Sequence, residues 1–294
     1  MQLDLFLDSR AVMLANDVIG ALAARDPERA RAVLGHLHSE APEYPGIDAF
    51  ERLTVALATW SAPGANATAI NSEVDRLDRD IVPAAHQILG ETAAAFVAGF
   101  FRILAQAARG LDYDPAHPHA HRAWLCLRCG EWQEAGAAAE TIPQSHSNPD
   151  AIHWGCVARY RLRGLAAARS RLFALALWAP SRFASMLAEL ADEVLWRECR
   201  RFETASGWAS VHESELPAWF PAWFLLEHPA AGAEIEDAVF PATAAAQAAR
   251  LVRELLELDK QGFSQRLVAG RARLRELNRE IFALYMANRT IQRR

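Results

Sequence analysis

The sequence predicts an all-α protein. Three observations carry that expectation. Apolar residues recur at helical spacing along nearly the whole chain, no stretch alternates with period two, and no Asn-Gly or Asp-Gly hairpin turn occurs. The 294 residues are 52% hydrophobic and 23% charged, the balance of a globular chain. A chain of this length buries roughly 75% of its unfolded surface and needs no disulfide or metal staple. Its four Cys are too few for a disulfide scaffold.

The first helix starts after Asp8 or Ser9, either of which suits an N-cap, and runs to about Arg25. Asp26-Pro27-Glu28 opens the second, with Pro27 at the first helical position, and Pro42 ends it. Asp48 is placed to cap a third helix through Trp60, and residues 61–66 form a loop. Helical segments follow at 68–90 and 91–109. The middle section opens at Asp112 and holds short helices near 116–129, 131–141, 149–163 and 165–178. The remaining segments are 181–203, 215–226, 242–259 and 262–288. We read residues 1–294 as a single array, subdivided as 1–110, 111–210 and 211–294.

An internal repeat runs through it. Ala30, Leu34, Leu37 and Pro42 share their spacing with Ala168, Leu172, Leu175 and Pro180. Ala135, Ala139 and Ile142 repeat the first three positions, 33 residues ahead of the Ala168 unit. With Gly130-Glu131-Trp132-Gln133-Glu134-Ala135, the pattern resembles the tetratricopeptide (TPR) family. The resemblance implies an array of antiparallel helix pairs, a superhelical solenoid that binds proteins. It covers about a third of the chain. His119, Arg122 and Arg159 stand where the family places aromatic or leucine side chains.

Net charge is −5 and the isoelectric point about 6.1, which argues against direct nucleic-acid binding over the whole surface. No apolar run approaches the ~18 residues a membrane helix requires. The first residues carry acid where a secretory signal carries Lys or Arg, so the expected location is cytoplasmic.

Gln2-Leu3-Asp4-Leu5-Phe6 resembles the short motif by which bacterial DNA-handling proteins dock on the replication sliding clamp. A Gln amide anchors to backbone groups, and a Leu-Phe pair fills an apolar pocket on the partner. The resemblance implies a protein partner and no catalytic activity. The competing reading packs Leu3, Leu5 and Phe6 against the first helices.

His117, His119, His121, Cys126 and Cys129 offer zinc-type ligands, and a metal-binding protein or enzyme built on them is the alternative class. Against it, the Cys pair reads as helical and no second Cys pair follows. Arg271, Arg275 and Arg279 recur every four residues, an anion- or partner-binding stripe or a solvated face. Residues 261–294 hold eight Arg and two Glu, a net +6 that leaves −11 for the rest. Arg289 belongs to a terminal Arg group read as fraying. The cluster Trp219-Phe220-Pro221-Ala222-Trp223-Phe224 reads as core, or as a homo-oligomer face. No phosphate-binding Gly-rich loop, Gly-x-Ser-x-Gly elbow or His-Glu-x-x-His occurs. The expectation is therefore a non-catalytic scaffold or adaptor without cofactors.

Overall fold

Capping side chains and prolines divide the chain into helices. The computed structural model describes residues 10–205, 208, 211–234, 240–262 and 264–292, and no strand occurs among them. The chain forms two compact units, divided between Glu131 and Trp132. The helices flanking Gly130, which the TPR resemblance would pair, therefore belong to different units.

The first unit contains α1 (Arg10–Ala23), α2 (Pro27–Glu40), α3 (Ile47–Thr59) and α4 (Ala67–Arg76), then α5 (Val82–Leu89), α6 (Ala93–Ala107) and α7 (Arg122–Arg128). Asp26 caps α2 by accepting from the Arg29 amide at 3.0 Å. A cap of this kind contributes about 1 kcal/mol. Asp48, expected to cap α3, lies two residues inside the cap position. The helix starts from Gly46, whose φ of 87° gives the left-handed entry. Asn66 caps α4 through the Ala69 amide at 2.8 Å.

Between α4 and α5, residues Leu77–Ile81 form a π-turn, with the Val82 amide donating to the Leu77 carbonyl. Pro83 explains it. Proline lacks an N–H and its ring clashes with the carbonyl four residues back, so an ordinary helix through this point is unfavourable. An 18-residue window within Ala67–Ala107 is apolar enough, by length and composition, to cross a membrane, a test that the buried core helices of globular proteins also pass. Here that stretch is broken by the π-turn and by Gly90 at φ 52°. Its three phenylalanines, Phe96, Phe100 and Phe101, and Leu104 are buried.

The second unit contains α8 (Trp132–Glu140), α9 (Pro149–Trp178), α10 (Phe183–Leu190) and α11 (Glu193–Thr204), then α12 (Leu216–Glu227), α13 (Ala244–Gln261), α14 (Gln265–Leu277) and α15 (Arg279–Gln292). α9 breaks at Gly164 (φ 76°, ψ −174°), as the expected pair 149–163 and 165–178 requires. Its halves fold back on each other, with the Cys156 sulfur 3.8 Å from the Ala168 carbonyl oxygen. The expected segment 181–203 is two helices, because Ala191 turns left-handed at φ 50° and Asp192 caps α11. The segment 262–288 likewise divides at Asn278, whose side chain accepts from the Ile281 amide at 2.8 Å and starts α15.

All nine shared small and aliphatic repeat positions are buried, from Ala30 to Leu175. The stop is repeated too. Ala41 and Ala179 share one non-helical geometry (φ −146°, ψ 75° and φ −144°, ψ 66°), and their amides donate to the Leu37 and Leu175 carbonyls. His228 before Pro229 ends α12 in the same way, donating to Phe224. The common cause is the following proline, which disfavours helical geometry in the residue before it.

Candidate functional site

Two concave features stand out, one in each unit. In the first unit an open groove of about 680 Å³ runs beside α3 and the π-turn. Ala56 and Ile81 are buried there, whereas Val55 is 59% exposed. Charges of both signs surround these apolar groups: Asp48, Glu51 and Asp80 against Arg52 and Arg76. Arg76 is held over the Trp60 ring at 4.4 Å and paired with Glu73 at 3.2 Å. The π-turn contributes Asp80 and Ile81 to the groove. Such turns recur at functional sites because they redirect side chains that a regular helix would place elsewhere.

In the second unit a cavity of about 340 Å³ is lined from α12, α13 and α15. Its apolar side is Leu226, Pro229 and Leu256. Its polar side centres on Asp259 of α13. The Asp259 carboxylate accepts from Arg271 Nη2 at 2.7 Å, from Arg289 Nε at 2.8 Å, and from the Tyr285 hydroxyl. Arg271 Nε also donates to the Tyr285 oxygen at 3.1 Å. The three charged side chains are only 17–19% exposed, and Tyr285 is 2% exposed. Burial, and the hydrogen bond given to Asp259, push the Tyr285 phenol above its ordinary pKa. Asn288 lines the same cavity and donates to the Leu226 carbonyl at 3.1 Å.

The expected arginine stripe is thereby divided. Arg271 is engaged inside the unit by Asp259. Arg275 is exposed near the end of α14, and Arg279 is exposed on the far side of the Asn278 break, on α15. Arg289, read from sequence as part of a frayed end, is instead a partner of Asp259. Sequence reasoning missed Asp259 and Tyr285 altogether. The available signal was the four-residue step from Tyr285 to Arg289, which puts both on one helical face with Ile281.

The histidines and cysteines of the first unit do not converge. His117 Nε2 meets the Thr68 hydroxyl at 3.3 Å, and His119 stacks on Trp124 at 4.5 Å. Buried His121 caps α7 by accepting from the Ala123 amide, and burial, aided by Arg122, lowers its pKa. Cys126 and Cys129 are buried at the end of α7. Among the described residues no group of three His, Cys, Asp or Glu is arranged to hold a metal ion.

The aromatic cluster is core. Trp219, Phe220, Trp223 and Phe224 are at most 9% exposed, and Phe220 meets Phe173, Phe183 and Phe202 at centroid distances of 5.4–6.1 Å. Gln2, Leu3, Asp4, Leu5 and Phe6 lie outside the described residues. Comparison with family models, with curated proteins and with solved structures finds no match for this chain.

Proposed function

We propose that this chain is a non-catalytic helical adaptor of the bacterial cytoplasm that holds a protein partner. The observation that carries this reading is the groove beside α3. An exposed valine flanked by buried apolar groups and a mixed-charge rim suits a protein segment that presents an apolar side chain between charged ones. The recurrent Ala and Leu core positions support a TPR-like packing of helix pairs. The residues at Gln2–Phe6 support the replication sliding clamp as one partner, with Leu5 and Phe6 as the anchoring pair.

The test is calorimetric titration of the full-length chain with a bacterial sliding clamp, beside the double variant Leu5→Ala, Phe6→Ala. Micromolar binding that disappears in the variant is the expected result. A folded wild-type chain that does not bind would remove the clamp. A Val55→Glu variant run in parallel is the control: clamp affinity should not change, because the proposed anchor is residues 2–6 and not the groove.

A further inference from the structure

The geometry points to a second binding site, the 340 Å³ cavity of the second unit, that takes a small organic anion with an apolar body. The proposal is independent of clamp docking and of the groove.

Charge is the first argument. Asp259 supplies one negative charge, whereas Arg271 and Arg289 supply two positive charges; Lys260, also at the cavity, is paired with Glu257 at 2.7 Å and adds no net charge. The excess is positive where the guanidinium groups are less than one-fifth exposed. An uncompensated charge in such a place is unfavourable, and an anion corrects it.

Donor geometry is the second. Asp259 is fully engaged: one oxygen receives both arginines and the other receives the Tyr285 hydroxyl. Arg289 binds it only through Nε. Among the described residues its two terminal nitrogens have no hydrogen-bond partner, and the side chain lines the cavity. A guanidinium fixed at Nε presents its outer nitrogens as a fork, the shape that receives a carboxylate or phosphate. Asp259 therefore acts as a positioning residue for Arg289, and it does not compete for the site.

The third argument is the opposite wall. Leu226, Pro229 and Leu256 give the ligand's body an apolar surface. The volume lies at the lower end of the roughly 300–1,000 Å³ range of small-molecule sites. A monocarboxylate or phosphate monoester of about benzoate size meets both requirements.

The experiment is calorimetric titration of the full chain with phenyl phosphate, benzoate and inorganic phosphate, with benzylamine as the cationic control. The expected result is saturable binding of phenyl phosphate or benzoate, and the tighter of the two identifies the head group. Benzylamine should not bind. Arg289→Gln should weaken binding roughly tenfold, as loss of a charge-assisted hydrogen bond does. No saturable binding, equal affinity for inorganic phosphate and phenyl phosphate, or unchanged affinity in folded Arg289→Gln would each overturn the proposal. Should Arg289→Gln fail to fold, Arg289→Lys decides, since it keeps the positive charge beside Asp259 and removes the fork of outer nitrogens. Several-fold weaker binding supports the site, and unchanged affinity overturns it.

Discussion

The guanidinium of Arg25 occupies the space that a side chain on Gly99 would fill. A Cβ placed on Gly99 would lie 2.1 Å from Arg25 Nη1. That nitrogen donates to the Phe96 carbonyl at 2.8 Å, and the guanidinium lies 4.9 Å from the centre of the Phe100 ring. Burial, with Arg102 nearby, lowers the Arg25 pKa, yet the carbonyl and the rings hold the group in place. Two effects compete in Gly99→Ala. Alanine in a helix gains about 1 kcal/mol over glycine. Displacing Arg25 loses a charge-assisted hydrogen bond of about 1.5–3 kcal/mol and a cation–π contact of about 0.5–1 kcal/mol. The loss wins, so Gly99→Ala destabilises by about 1–2 kcal/mol. In an Arg25→Ala background the same change stabilises. Urea denaturation of the four members of this cycle reads the sign reversal, and a cycle with no change of sign would refute the account.

How much of this was legible in the sequence depends on whether the cause is local. Asp26 caps α2 through an amide three residues away, and Asp26-Pro27-Glu28 marked that start locally, whereas Asp48 fitted a cap for α3 equally well by type and the helix starts instead from Gly46. Prolines 42, 180 and 229 stop helices by sterics with their immediate neighbour, and the breaks at Pro42 and Pro180 were readable for the same reason. The Arg25–Gly99 notch joins residues 74 positions apart, and nothing in local periodicity encodes it. The same is true of the Asp259 cluster. Arg271 was legible as a basic residue at helical spacing, but its carboxylate partner comes from another helix. The π-turn was missed because Pro83 reads equally well as a helix start and as the cause of a wider turn.

Gly164 should resist substitution for a reason that involves no contact. A Cβ there meets nothing within 4 Å, but φ is 76° with ψ at −174°, a region essentially reserved for glycine. Gly164→Ala is expected to destabilise by about 1–3 kcal/mol from backbone strain alone. Gly35 in α2 is the control. It is helical and equally open, so Gly35→Ala should stabilise by up to about 1 kcal/mol. Thermal unfolding of both variants checks the contrast, and equal shifts of the same sign would contradict it.

Asp259→Asn should be among the most damaging single changes in the second unit. It leaves Arg271 and Arg289 facing each other with no carboxylate between them, and it weakens the acceptor of the Tyr285 hydroxyl. Removing one partner of a buried ion pair costs about 3–5 kcal/mol. The side chains here are 17–19% exposed, so solvent screening brings the expectation to the lower end. Arg275→Gln serves as the comparison, since Arg275 is exposed and should change stability by less than about 0.5 kcal/mol. Chemical denaturation that ranked the two variants equally would show that Asp259 is not the centre of this cluster.

Acid stability provides the last test, through Glu198 on α11. Burial alone would raise its pKa. Hydrogen bonds from His228 at 3.0 Å and from Arg201 at 3.0 and 3.1 Å outweigh burial and hold it below the ordinary value near 4.5. The sign follows from linkage. A carboxyl that is more acidic in the folded state adds stability above its unfolded pKa and loses it as pH falls through the folded value. The wild-type chain should therefore lose stability on this account below about pH 4.5. Glu198→Gln cannot titrate. It should be less stable than wild type at neutral pH, because it no longer offers a charged acceptor to Arg201, which also pairs with Glu227 at 2.6 Å. The gap between the two proteins should then narrow as the solution is acidified. Melting temperatures measured between pH 7 and pH 3.5 give that difference directly. Curves that stay parallel through this range would mean that the Glu198 carboxyl titrates alike in the folded and unfolded chains.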